Sequence, residues 1–251
     1  MDNFKLETLL NQLKAGNTTV EKVISELRDI TFENLDFAKV DHHRALRKGF
    51  PEVIFCQNKT AEHVVRIAKA QIAHDETVFG TRATEEILNA VEQEIDGIQI
   101  DRQSKLFFKK SPYWRKKEDT RGYVLVCSAG TSDLPVAGEA LRTLDILGHP
   151  VRELHDVGVA GIHRLFAHRE TILGASVLIV VAGMEGALPS VVTGFVKVPV
   201  IGVPTSVGYG SHLNGLVPMF AMLNSCASGL TVVNIDNGFG AGCAAAAING
   251  N

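Results

Sequence analysis

Gly122-Tyr-Val-Leu-Val-Cys-Ser-Ala-Gly-Thr-Ser-Asp-Leu-Pro135 changes character twice within a short span. Tyr123 to Cys127 is apolar and β-branched, Ser128 to Asp133 is small and polar, and a helical pattern begins at Leu134. The order reads as strand, small-residue loop, helix N-terminus. The first amides of a helix lack intrahelical partners and lie at the positive end of its dipole, so a loop of small residues there lets an anion approach the backbone. Ser128, Gly130, Thr131 and Ser132 are therefore expected to cradle a phosphate. The same stretch also fits a plain structural role in which Ser132 or Asp133 caps the helix.

Downstream of this stretch the pattern repeats. Tyr123–Cys127, Val151–Leu154, Ser176–Ala182, Val200–Val203 and Thr231–Ile235 read as strands. Between and after them, helices are expected near Leu134–Leu147, Ala160–Leu173, Leu188–Phe195, Leu213–Leu223 and Gly240–Ile248. Continuously apolar strands joined by helices form a parallel sheet covered on both faces, with the ligand beyond the strands' carboxyl ends. The segments expected there are Ser128–Asp133, Asp156–Arg164, Ala182–Pro189 (with Gly183 and Glu185) and Gly202–Gly210, joined by Asn224–Gly229, which precedes the last strand. Gly238-Phe-Gly-Ala-Gly242 lacks the spacing and the later acidic residue of a dinucleotide loop and reads as close helix–sheet packing.

Upstream, Phe4–Ala15 has helical spacing, and Thr18 with Glu21 resembles a capping box opening a second helix, which together make a helical hairpin. Phe32–Pro51 has no clean period and concentrates Lys39, Asp41, His42, His43, Arg44, Arg47 and Lys48. It reads as a solvated loop or as an arm completing an anionic site. A small α/β unit follows: strand Val53–Cys56, a helix capped by Thr60, strand Thr77–Thr81, helix Thr84–Ile95, and a strand or hairpin in Gly97–Phe108. Lys109–Arg121 is polar and without apolar period, so domains are expected over 1–115 and 116–251.

A net charge of -3 over 251 residues argues against general nucleic-acid binding. No uninterrupted apolar run is long enough to span a bilayer, and no secretory signal is visible, so a cytoplasmic protein is expected. The four cysteines, Cys56, Cys127, Cys226 and Cys243, form no CxxC pair and read as free thiols. No cluster demands a metal, and no tightly bound cofactor is expected.

The C-terminal half resembles the PurE family of aminoimidazole ribonucleotide carboxylases and mutases. The resemblance rests on Ala129-Gly-Thr-Ser-Asp133, Gly161-Ile-His163-Arg164, Ala182-Gly-Met-Glu-Gly-Ala-Leu-Pro-Ser190 and Pro199-Val-Ile-Gly-Val-Pro204, in that order. Ala187 stands where that family has a histidine. Together with Asn34-Leu-Asp-Phe-Ala-Lys-Val-Asp-His-His-Arg-Ala-Leu-Arg-Lys-Gly-Phe-Pro-Glu-Val-Ile-Phe55 and Cys226, the whole chain resembles the nickel-pincer cofactor biosynthesis carboxylase/hydrolases. The fold implied is α/β: a PurE-like three-layer sandwich with a parallel, flavodoxin-like sheet, preceded by a smaller N-terminal α/β unit with a helical hairpin.

The same resemblance implies a cytoplasmic homo-octamer that takes nicotinic acid adenine dinucleotide and carbon dioxide and releases AMP and pyridinium-3,5-biscarboxylic acid mononucleotide. That product lies on the way to the lactate racemase cofactor. Cys226 is the implied nucleophile, because a pyridinium ring is electron-poor and must accept a thiolate before it can attack carbon dioxide. Asp133 and Glu185 would move the ring proton or position a water, and His163 and Arg164 would hold phosphate or carbon dioxide. Lys39, His43 and Arg44 would reach the carboxylate or diphosphate, with Mg2+ available to neutralise it. Cys127 and Cys243 read as packing. A PurE-type carboxylase and a non-catalytic nucleotide-binding module remain as alternatives.

Overall fold

The structure is a computed structural model that describes residues 3–28 and 32–250. The chain divides into two compact units, Met1–Arg115 and Lys116–Asn251.

The first unit opens with helices α1 (Asn3–Lys14) and α2 (Val20–Arg28). The α2 start differs by one residue from the expected cap: Lys22 N–H donates to Thr19 Oγ1 at 3.3 Å, not to Thr18. Next come an antiparallel pair, β1 (Glu33–Asn34) and β2 (Lys39–Val40), and a short helix α3 (Arg44–Lys48). The remainder is β3 (Ile54–Phe55), α4 (Ala61–Ala73), β4 (Val78–Thr81), α5 (Glu85–Glu94), β5 (Gln99–Asp101) and β6 (Leu106–Lys109). The four strands form one sheet in the order β3-β4-β6-β5, and the pairing of β5 with β6 resolves Gly97–Phe108 as a hairpin. Thr60 and Thr84 cap α4 and α5, each hydroxyl accepting from the N–H three residues on, which satisfies one orphan donor. Val64, Val65, Ala68, Ile87, Leu88 and Val91 face the sheet from these two helices and are buried with Val78 and Phe107.

The second unit carries β7 (Val124–Ser128), α6 (Leu134–Ile146), β8 (Val151–Leu154), α7 (Ile162–Ala167), α8 (Arg169–Leu173), β9 (Val177–Ala182), α9 (Leu188–Thr193), β10 (Val200–Pro204), α10 (Leu216–Leu223), β11 (Leu230–Val232) and α11 (Gly238–Asn249). The sheet is five-stranded and parallel throughout, in the order β11-β10-β9-β7-β8. Counted within the unit, that is the flavodoxin-like order 2-1-3-4-5 read from its far edge. The alternation along β7 sorts the two faces. Val124 and Val126 join Ala137, Ala140 and Leu144 of α6 and Ala241 and Ala245 of α11, while Leu125 and Cys127 join Leu165, Ile172, Leu188 and Met222 on the other side. Three layers result, with the sheet buried between them.

Three elements depart from the pattern read in the sequence. The helix expected over Ala160–Leu173 is broken into α7 and α8 at His168. The helix expected from Leu213 begins at Leu216, because Leu213, Asn214 and Gly215 all have positive φ and form a turn before it. The glycines of Gly238–Gly242 serve helix against helix: a Cβ at Gly238 would stand 2.2 Å from Val136 O, and one at Gly242 would stand 2.7 Å from Thr143 Cβ, both on α6.

Candidate active site

In a parallel sheet the crossovers from the first and third strands of this order leave in opposite directions, which opens a crevice at the carboxyl ends. A cleft of about 550 Å³ occupies that place. It is lined by the loops after β7, β8, β9 and β10, among them Gly130, Ser132 and Asp133, then Asp156, Gly158 and Arg164, then Gly183 and Glu185, then Gly208 and Tyr209.

Close backbone approach shapes it. A Cβ at Gly158 would stand 2.9 Å from Ala129 O, and one at Gly183 would stand 2.2 Å from Val207 O and 2.7 Å from Thr205 Oγ1. Only a residue without a side chain lets these loops meet. Gly158 N–H donates to Ala129 O at 2.8 Å and Met184 N–H to Val207 O at 3.0 Å, which ties the four loops in pairs.

Asp133 is the buried carboxylate among the residues that line the cleft. It is 4% exposed, and its carboxylate does not cap α6. Oδ2 accepts from Gly130 N–H at 2.9 Å and Oδ1 from Thr205 Oγ–H at 2.7 Å. Burial pushes the carboxyl above the usual range and nearby Asp236 adds to the rise, while the Thr205, Gly130 and Gly183 hydrogen bonds oppose it. A carboxylate so placed can take up a proton from a substrate carbon or water. The capping role read in the sequence is kept in a shifted form, since Asp133 makes no cap bond to α6 itself but its acceptance from Gly130 N–H caps the 3-10 turn Thr131–Asp133 that leads into it. Thr205, directly after β10, was not legible as a functional residue from its neighbours in sequence.

The Arg164 guanidinium also lines the cleft and is ion-paired to Asp156. Gly161 leaves room for it, since a Cβ there would lie 2.7 Å from Arg164 Nε. Tyr209, 81% exposed, stands at the rim and offers an aromatic face.

Other expected residues lie elsewhere. Ser128 is buried at the end of β7, its hydroxyl sharing a hydrogen bond with His155 Nδ1 at 3.1 Å, and His155 Nε2 meets Glu153 Oε2 at 3.2 Å. Thr131 and His163 are exposed and outside the cleft lining. The turn after β7 also spends two of its amides internally, Ala129 N–H on Val181 O and Gly130 N–H on Asp133. These two amides are thereby occupied, and among the described residues of the second unit Arg164 is the basic group that lines the cleft.

Cys226 is exposed on the loop between α10 and β11 and does not line its own chain's cleft. The reason is topological. A loop that enters a parallel strand reaches the strands' amino ends, and here Gly229 O accepts from Val200 N–H at the start of β10. The neighbouring Ser225 Oγ accepts from Ser190 Oγ–H at 2.8 Å and from Ala227 N–H at 3.2 Å, which fixes the loop. Cys56 and Cys127 are buried, and burial drives both thiols up to about 12. Lys39, His43 and Arg44 belong to the N-terminal unit, where Lys39 Nζ lies 5.4 Å from the Phe32 ring and Arg44 lies 5.3 Å from the Phe50 ring.

Comparison with known proteins now places the molecule. Residues 123–251 match the AIR carboxylase family model, and residues 32–111 match that of the LarB/PurE-like N-terminal domain. The chain belongs to the AIR carboxylase family. Its two domains stand in the LarB-like order, N-terminal domain first. An uncharacterized protein of Methanocaldococcus jannaschii is 37% identical over 247 residues, covering 94% of each chain. A crystal structure of a Treponema denticola PurE2 variant aligns with a TM-score of 0.40 at 20% identity, over 48% of this chain and 76% of that one. A carboxylase-type function on a nucleotide-type substrate follows from membership of the AIR carboxylase family. Among the described residues no helix is long and apolar enough to cross a membrane.

Proposed function

We propose that this AIR carboxylase family member is a pyridinium carboxylase and phosphoanhydride hydrolase. It converts nicotinic acid adenine dinucleotide, carbon dioxide and water to pyridinium-3,5-biscarboxylic acid mononucleotide and AMP, for a nickel-pincer cofactor. The observation that carries the reading is the union, in one chain, of the LarB-like domain pair with Cys226, an exposed thiol that neither burial nor an apolar core holds inert.

The chemistry runs in balanced steps. The Cys226 thiolate adds to a ring carbon and converts the pyridinium to a neutral, enamine-like dihydropyridine. The enamine carbon bonds to carbon dioxide, leaving an iminium and a carboxylate. Asp133 or Glu185 removes the ring proton at that carbon, and expulsion of the thiolate restores the aromatic pyridinium. Water then cleaves the phosphoanhydride, AMP leaving with one phosphate and the mononucleotide keeping the other. Arg164 suits the diphosphate or carbon dioxide, since a guanidinium contacts two oxyanion oxygens at once. Tyr209 offers a stacking face for the pyridinium or adenine ring. Mg2+ accompanying the diphosphate would neutralise its charge.

Because Cys226 stands outside its own chain's cleft, the reading requires a neighbouring copy to present it. Leu213, Leu216, Phe220 and Leu223, on α10 and the turn before it, are exposed apolar residues close in sequence to Cys226 and suit burial against that copy. An assembly of eight chains is the state the resemblance implies, and light scattering counts them. A monomer in which Cys226→Ala nevertheless abolishes turnover would remove the neighbouring-copy step.

The test of the reaction is mass spectrometry of products from nicotinic acid adenine dinucleotide, bicarbonate and Mg2+. AMP with a mononucleotide heavier by one carboxyl group supports it. Carboxylation of an aminoimidazole ribonucleotide instead would replace it with a PurE-type carboxylase, and nucleotide binding without turnover would make the protein a binding module.

A further inference from the structure

The first unit holds a second concentration of chemistry that the proposed carboxylase reaction does not use. Glu33 in β1, His42 between β2 and α3, and His74 directly after α4 are distant in sequence and converge in space. One ligand atom from each lies within 4.8 Å of the other two. Both imidazoles address the same oxygen: His42 Nε2 is 3.3 Å and His74 Nε2 is 3.6 Å from Glu33 Oε2. Metal–ligand bonds of about 2.0–2.1 Å at tetrahedral angles put ligand atoms roughly 3.4 Å apart. The observed spacings match that edge length.

Two further observations concern what surrounds the three. His42 is 2% exposed, and its other ring nitrogen, Nδ1, lies 3.2 Å from Glu76 Oε2. A carboxylate behind a histidine is the arrangement that fixes ring orientation in metal sites. In front, His42 and His74 line a cavity of about 320 Å³ with Lys5, Gln12, Glu26 and Asp75, which leaves room for a water as fourth ligand and a route of entry. The Lys5 ammonium, which lines the same cavity, donates to Asp75 Oδ2 at 2.9 Å and to His74 O at 3.0 Å.

We propose that Glu33, His42 and His74 bind one divalent transition-metal ion, of which zinc fits the nitrogen and oxygen donors and the tetrahedral spacing, with Glu76 orienting His42. Two histidines and one carboxylate are a borderline donor set that excludes Mg2+ and Ca2+, which take all-oxygen shells. The ion would bind β1 and the segment after β2 to the end of α4. The inference does not rest on the reaction proposed for the second unit.

The test is zinc binding by the full chain, stripped with a chelator and titrated with Zn2+ against a chromophoric competitor, with a thermal scan beside it. One equivalent is expected per chain, together with a rise in Tm on loading. Glu33→Gln and His74→Ala, both at partly exposed positions, should weaken the site at least about 100-fold and abolish the rise in Tm, while Glu76→Gln should weaken it about 10–100-fold. If His74→Ala does not fold, Glu33→Gln decides. Failure of the wild-type chain to take up zinc, or uptake unchanged in Glu33→Gln and His74→Ala, overturns the proposal and leaves a carboxylate–imidazole cluster with a structural role.

Discussion

Gly183→Ala tests the packing that makes the cleft. The new Cβ would stand 2.2 Å from Val207 O and 2.7 Å from Thr205 Oγ1, where ordinary contact begins at 3.4 Å. The Val207 carbonyl must therefore retreat by about 1 Å, and it is the acceptor of Met184 N–H at 3.0 Å. Overpacking of a close contact costs about 1–3 kcal/mol, and a weakened backbone hydrogen bond adds about 1 kcal/mol. Together these lower Tm by roughly 5–15 °C in a chain of this length. Thr205 moves with the clash, and its hydroxyl is the donor to Asp133 Oδ1, so kcat/KM should fall by at least about tenfold beyond what the stability loss explains. Two neighbours calibrate the effect. Gly158→Ala meets Ala129 O at 2.9 Å and should cost less, while Gly130→Ala finds nothing nearer than Asp133 Oδ2 at 3.7 Å and should leave Tm within a degree or two. Differential scanning calorimetry and steady-state kinetics on the three variants read both quantities. If Gly183→Ala melts with the wild type, or if Gly130→Ala costs as much, the contact geometry does not shape the cleft as described.

The remaining expectations concern charge. Asp133→Asn keeps the shape but removes the base and turns an acceptor toward Gly130 N–H into an amide, so turnover should drop by about 10²–10⁴-fold with substrate binding largely kept; retained turnover would move the proton transfer to Glu185. Arg164→Lys replaces a planar fork by a point charge, and KM for the dinucleotide should rise about tenfold with kcat less affected; an unchanged KM removes Arg164 from the diphosphate. His149 is buried beside Asn249, Nε2 has no hydrogen-bond partner among the described residues, and burial brings its pKa down from 6.5 to about 4. The folded state then holds the neutral ring where the unfolded chain would protonate, so stability is full above pH 6.5 and is lost as pH falls toward 4. Denaturant unfolding from pH 7.5 to 4.5 should show that loss, reduced in His149→Gln; an identical pH slope in the variant contradicts it.

How much of this was visible in the sequence depends on where the information sits. Val124–Ser128, Val177–Ala182 and Val200–Pro204 were legible because strands buried on both faces read as unbroken apolar runs. Thr60 and Thr84 were legible as caps because a cap is a local device. The turn at Leu213–Gly215 was not, since Leu213 and Leu216 keep a helical period that three positive φ values interrupt. The cleft's Gly130, Ser132, Asp133, Arg164, Gly183 and Glu185 could be found from the rule that ligands gather after strands. Cys226 departs from that rule because its loop precedes a strand. Glu33, His42 and His74 carry no spacing signature at all, and only the fold brings β1, the turn after β2 and the end of α4 to one point.

The central claim is that the thiolate of Cys226 activates a pyridinium ring for carboxylation. The direct measurement is mass spectrometry of the intact protein and its products after mixing with nicotinic acid adenine dinucleotide, 13C-labelled bicarbonate and Mg2+, with Cys226→Ser in parallel. Cys226→Ser should fold as the wild type does, because the side chain is exposed. A labelled carboxyl group in the mononucleotide, AMP in equal amount, and both absent from Cys226→Ser are the predicted result. Labelled product from Cys226→Ser at the wild-type rate would contradict covalent activation by this cysteine.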